Sequence, residues 1–90
     1  MMKKTIITVV GKDSIGIIAK VCTYLSGKSI NVLNISQTIV DGFFNMIMIV
    51  DMPKNIDFVL IHDDLDKLGE ELGVSIKVQR EEIFNKMHRI

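Results

Sequence analysis

A chain of 90 residues, 48% of them hydrophobic, has the size of one small domain and is rich in apolar residues for that size, a surplus that a subunit interface is expected to take up. Its 11 basic and 11 acidic side chains cancel, so no long-range field favours nucleic acid, and no aromatic-basic stripe marks such a surface. Cys22 is the single cysteine and cannot form an internal disulfide, which makes a reducing cytoplasm the expected location. Met1-Met2-Lys3-Lys4 leads only into a short β-like run, so no signal peptide is expected. The longest apolar stretch, Phe43 to Val50, is interrupted by Asn45 and falls far short of the roughly 20 residues of a membrane helix.

Thr5 to Val10 is apolar or β-branched throughout and reads as a strand buried on both faces, central in its sheet. Gly11 ends it. Asp13 or Ser14 can cap a following helix, whose apolar face carries Ile18, Val21, Cys22 and Leu25 and which Gly27 stops. Ile30 to Val40 reads as a second strand of imperfect alternation. Leu33, Ile35 and Ile39 share one face with Asn31 and Gln37; Ile30, Val32 and Val40 share the other with Asn34, Ser36 and Thr38. Asp41-Gly42 is a hairpin signal, because both positions tolerate positive φ. Phe43 to Asp51 returns as the third strand, with Met46 and Met48 on one face as candidates to fill an interface, and Met52-Pro53 ends it.

Phe58, Ile61, Leu65, Leu68 and Leu72 form the core stripe of a second helix, closed by Gly73. Val74, Ile76 and Val78 then alternate with polar residues, a strand with one buried face. Ile83, Phe84, Met87 and Ile90 have helical spacing, so a domain over residues 1–82 is expected to carry a short helical tail over 83–90. The order predicts an α+β, ferredoxin-like βαββαβ sandwich: an antiparallel sheet of order 4-1-3-2 with both helices on one face. Apolar residues on both faces of the first three strands then call for a second subunit or the tail as cover.

No residue pattern here suggests catalysis. Ser14, Ser26, Ser29 and Ser36 lack a nucleophile-elbow context, and Cys22 has no neighbouring base, so no enzyme and no cofactor are expected. His62, Asp63, Asp64 and Asp66 do not share one helical face; a solvated acidic face with an Asp63–Lys67 pair is expected there rather than a metal site.

Gly11, Asp13, Gly16 and Ile17 have the spacing of the first strand-to-helix turn of ACT domains, which this segment resembles. Ser29-Ile30-Asn31-Val32 resembles the start of the second ACT strand. Ile35-Ser36-Gln37-Thr38, the Asp41-Gly42 turn and Phe44-Asn45-Met46-Ile47-Met48 resemble small stand-alone bacterial and archaeal ACT proteins. Ile15 departs from the pattern, in which proline often precedes the second glycine. The resemblance implies a regulatory homodimer with an amino-acid ligand at the subunit interface, bound by Gly11, Asp13, Gly16, Ile17 and Asn31. A helix N-terminus suits a carboxylate, and the Asn31 amide can both donate and accept. The bland readings are an N-cap for Asp13 and a backbone hydrogen bond for Asn31. The alternative function is a ligand-free interaction subunit that docks an unknown protein partner through its sheet or tail.

Overall fold

Six elements follow one another in the computed structural model, which describes residues 3–12, 16–53 and 55–80: β1 (Lys3–Lys12), α1 (Ile17–Gly27), β2 (Asn31–Val40), β3 (Phe43–Met52), α2 (Phe58–Leu72) and β4 (Val74–Arg80). The four strands form one antiparallel sheet in the order β2-β3-β1-β4, the expected ferredoxin-like arrangement. Asp13 and the tail 83–90 lie outside the described residues.

Register sorts the side chains by face. On the helix side lie Thr5, Ile7 and Val9 of β1, Phe44, Met46, Met48, Val50 and Met52 of β3, and Ile76 and Val78 of β4, all buried. Ile17, Val21 and Leu25 of α1 and Ile61 and Leu65 of α2 close over them. Met46 and Met48 are therefore core residues of this chain, fully buried beneath its own helices, and leave no surface for an interface. The other face is uneven. Ile6 is only 5% exposed, but Val10 is 40% exposed, and Val40, Phe43 and Ile47 stand open with it.

β2 departs from the alternation read from sequence. Val32 pairs with Val50 and Asn34 with Ile49, so Leu33 is an extra residue, a bulge. The bulge shifts the phase: Val32 joins Ile35, Gln37 and Ile39 on the helix side, and Asn31 joins Asn34, Ser36, Thr38 and Val40 on the other.

The turns hold this frame. Asp41 (φ 50°) and Gly42 (φ 78°) make the two-residue hairpin between β2 and β3, with both central residues left-handed as its twist requires. Asp57 caps α2 by accepting a hydrogen bond from the Leu60 N–H at 3.1 Å, and Gly73 (φ 73°) ends that helix. α1 ends differently from expectation. Ser29, not Gly27, takes the left-handed position (φ 59°). The Ser29 N–H donates to the Ser26 carbonyl at 3.1 Å and the Ile30 N–H to the Leu25 carbonyl at 3.0 Å, which is a Schellman cap with buried Ile30 against buried Leu25. A residue with a Cβ is strained there, so Ser29→Gly should raise stability by roughly 0.5–1 kcal/mol, read as a higher denaturation midpoint with an unchanged m-value.

Candidate functional site

The sequence-derived site residues fall at two ends of the sheet. Gly11, at the end of β1, pairs with Phe44 on one side and Val74 on the other. It remains within the strand, and its role is steric: a Cβ there would lie 2.6 Å from Cγ1 and 3.0 Å from Cα of Val74. Gly16 is the N-cap of α1, with φ 89° and open space where a Cβ would stand. It makes no side-chain capping bond, so the cap is Gly16 rather than the expected Asp13 or Ser14. The Lys20 N–H donates to the Gly16 carbonyl at 2.9 Å as the first bond of the helix, and the preceding N–H groups of its first turn take no partner from the helix itself. Ile17 is buried and belongs to the core, so only its backbone is available to a ligand.

Asn31 opens β2 at the opposite end, paired with Asp51. Phe44 and Asp51 are separated along β3 by seven residues, so Gly11 and Asn31 stand roughly 23 Å apart along the strand direction. Asn31 lines a cleft of about 470 Å³ between the second half of α1 and the start of β2, with Cys22, Ser26, Ser29, Ile30 and Val32. Cys22 is half-buried at this cleft, not sealed in the core. Cys22 and Ser26 are one helical turn apart, and the Schellman cap folds Ser29 and Asn31 back toward them. Sequence reasoning missed Cys22, Ser26 and Ser29 as cleft residues; the spacing of Cys22 and Ser26 was visible, but the fold-back at Ser29 was not.

A second cleft, of about 350 Å³, lies between the helices and is lined by Tyr24, Lys28, Asp64, Lys67, Leu68 and Glu71. The Tyr24 hydroxyl donates to Asp64 Oδ2 at 2.6 Å, tying α1 to α2. Burial, and then the carboxylate of Asp64, push the Tyr24 hydroxyl above its ordinary range, so it remains a donor at any physiological pH. The Lys28 ammonium stands 6.0 Å from the Tyr24 ring centroid. Asp63 faces its neighbour His62, with Nδ1 3.4 Å from Oδ1, rather than Lys67. Among the described residues no group of three or more His, Cys, Asp and Glu is placed to hold a metal ion, and no helix is long and apolar enough to cross a membrane.

Comparison with known proteins matches this arrangement. The ACT-domain family model fits residues 3–79. A UPF0237 protein of Bifidobacterium longum is 61% identical over 90 residues, covering 99% of this chain and all of the relative. An ACT domain protein from Streptococcus pneumoniae superposes with a TM-score of 0.83 at 37% identity, over 93% of this chain and 96% of that one. The ACT domain from the GTP pyrophosphokinase of Chlorobium tepidum, at 20% identity and a TM-score of 0.62, shares the fold over 89% of this chain and 99% of its own length. ACT domains are commonly regulatory modules that bind small ligands and pair as dimers. With its βαββαβ order, its Gly11–Gly16 turn and these relatives along its whole length, the chain belongs to the ACT-domain family.

Proposed function

We propose that this chain is a homodimeric sensor of an amino acid, bound between subunits by the Gly11-to-Ile17 turn of one and the Asn31 end of the other. The observation that carries this reading is the roughly 23 Å along the sheet that separates Gly11 from Asn31. No small metabolite spans that gap within one chain. A second copy running antiparallel brings its own Asn31 end beside the turn. The N-terminus of α1 suits the ligand carboxylate, since its first N–H groups and the helix dipole both favour an anion. The Asn31 amide accepts from the ammonium group or donates to a carboxylate oxygen. Asp13 is a further candidate for the ammonium group. The dimer transmits binding by population shift, because a ligand that bridges two chains stabilises one pairing geometry over others.

A thermal melt against the twenty amino acids tests this. A ligand present at about 100 times its dissociation constant adds roughly 2.7 kcal/mol to stability, a shift of several degrees. Asn31→Ala should leave the unliganded melting temperature nearly unchanged, since the side chain is exposed, and abolish the shift. If no amino acid moves the midpoint at millimolar concentration, amino-acid sensing fails. The open apolar residues Val10, Val40, Phe43 and Ile47 favour the rival reading, a docking subunit for another protein. Co-purification from the source cell of a stoichiometric protein partner with no bound metabolite would select it.

A further inference from the structure

We infer that residues 81–90 of this chain fold back as an amphipathic helix over one half of the open sheet face, the half centred on Ile6, and so confine any outside partner on that face to the other half. This goes beyond the sensor proposed above and does not rest on it. The open face carries Ile6 and Val10 of β1 with Ile47 and Ile49 of β3, and among the described residues both helices lie on the opposite side. A bare sheet face leaves equivalent positions equally open. Here Val10 and Ile47 are 40% and 42% exposed, but Ile6 is 5% exposed, and its cross-strand neighbours Ile49 and Gln79 are half-buried. Ile6 and Val10 sit on the same central strand between the same two neighbours, so place in the sheet does not account for the difference. A cover at the Ile6 end alone does.

The chain itself delivers that cover. Gln79 pairs with Ile6 and Arg80 with Thr5, so β4 ends beside the protected spot and residue 81 starts there. Ile83, Phe84, Met87 and Ile90 then form one stripe at helical spacing, with Asn85, Lys86, His88 and Arg89 away from it. Ten helical residues span about 15 Å. Ile6 and Ile49 lie one and two strands in from β4, roughly 5 and 10 Å at the spacing of neighbouring strands, so a helix crossing the sheet there reaches both. Val10 lies four residues further along β1, roughly 13 Å away, beyond the width of a helix about 10 Å across. The one-ended protection follows from these dimensions. Charge agrees with it: exposed Lys4 and Lys77 flank Ile6 on this face, and Glu81 and Glu82 open the segment. A segment tethered at the spot also outcompetes one that must arrive from solution. An outside partner on this face then meets Val10, Val40, Phe43 and Ile47, which stay open.

Thiol accessibility in the full chain, with Cys22→Ser as background, tests this. Ile6→Cys should react with a soluble thiol reagent on the order of tenfold more slowly than Ile47→Cys, because a covered thiol reacts only when its cover opens. Phe84→Asp combined with Met87→Asp puts two carboxylates on the apolar stripe and should bring Ile6→Cys to the rate of Ile47→Cys, which itself stays unchanged. Ile49→Cys, on the adjoining strand, is the second reporter and should be freed by the same pair of tail substitutions. The protection should hold over an about hundredfold range of protein concentration, as an intramolecular contact does. If both reporters react as fast as Ile47→Cys while the segment is intact, nothing covers that end and the inference is overturned. Protection that survives the two tail substitutions overturns it too, because another group is then the cover. Protection that is lost on dilution assigns the cover to a second copy and overturns the fold-back within one chain.

Discussion

Gly69→Ala is expected to cost about 1–3 kcal/mol, although alanine is the better helix former by roughly 1 kcal/mol. Gly69 is buried on α2, where a Cβ would lie 2.7 Å from the Val74 carbonyl oxygen, 3.3 Å from Cγ1 of Ile76 and 3.4 Å from the Ile76 N–H nitrogen. The nearest of these atoms, the Val74 oxygen, belongs to the backbone of β4, which is held in the sheet by β1, so no side-chain movement relieves that contact. Helix and strand must separate instead, and the core between Ile61, Leu65, Ile76 and Val78 loosens with them. For a domain of this size the loss corresponds to a fall in melting temperature on the order of 5–20 °C. Gly27→Ala is the control: a Cβ there meets nothing within 4 Å, so its midpoint should stay at or slightly above that of the parent chain.

Gly11→Ala should destabilise by a similar amount, about 1–3 kcal/mol, for a cause that a second substitution can isolate. Its Cβ would meet the Val74 side chain at 2.6 and 2.9 Å, before the backbone at 3.0 Å. Val74→Ala removes the nearest of these atoms. The penalty of Gly11→Ala should therefore shrink in the Val74→Ala background, by a coupling of about 0.5–2 kcal/mol in a denaturation cycle. Equal penalties in both backgrounds would place the cost elsewhere in the turn. The two glycines converge on Val74, the first residue of β4: one admits it beside β1, the other beneath α2.

The elements that local chemistry specifies were legible in the sequence. Asp41-Gly42 announced a turn that needs two positive φ angles, and the stripe Phe58 to Leu72 announced α2 with its bounds. What depends on partners distant in the chain was not. Gly11 reads locally as the residue that ends β1, because nothing near it in the chain reveals that Val74 arrives against its Cα. The bulge at Leu33 follows from pairing with β3 and has no glycine or proline to mark it, so every face assignment before it on β2 came out inverted. Ser29 bends the chain after α1 because Ile30 is buried against Leu25, a contact stronger than the preference for glycine that had pointed to Gly27.

The same distinction holds for the candidate site. Its residue types could be read from motifs: a glycine at the helix start with φ 89°, and an asparagine at the start of β2. Their placement at opposite ends of the sheet could not, since it follows from strand register. Within one chain the two stand too far apart for one small ligand, which is why the proposed site draws one half from each of two subunits.

Subunit mixing tests this most directly. Asn31→Ala removes one half of every site. Gly16→Asp places a carboxylate at the N-terminus of α1, where the ligand carboxylate is proposed to sit; nothing obstructs its Cβ, and the left-handed φ of 89° costs about 1–2 kcal/mol of stability. Each variant alone should fail to bind the amino acid that stabilises the parent chain. Unfolded and refolded together, they form mixed dimers in which one site joins an intact turn to an intact Asn31, and calorimetric titration should recover binding at parental affinity with one site per mixed dimer. If the mixture binds nothing while each variant remains folded and dimeric, the site does not span two chains.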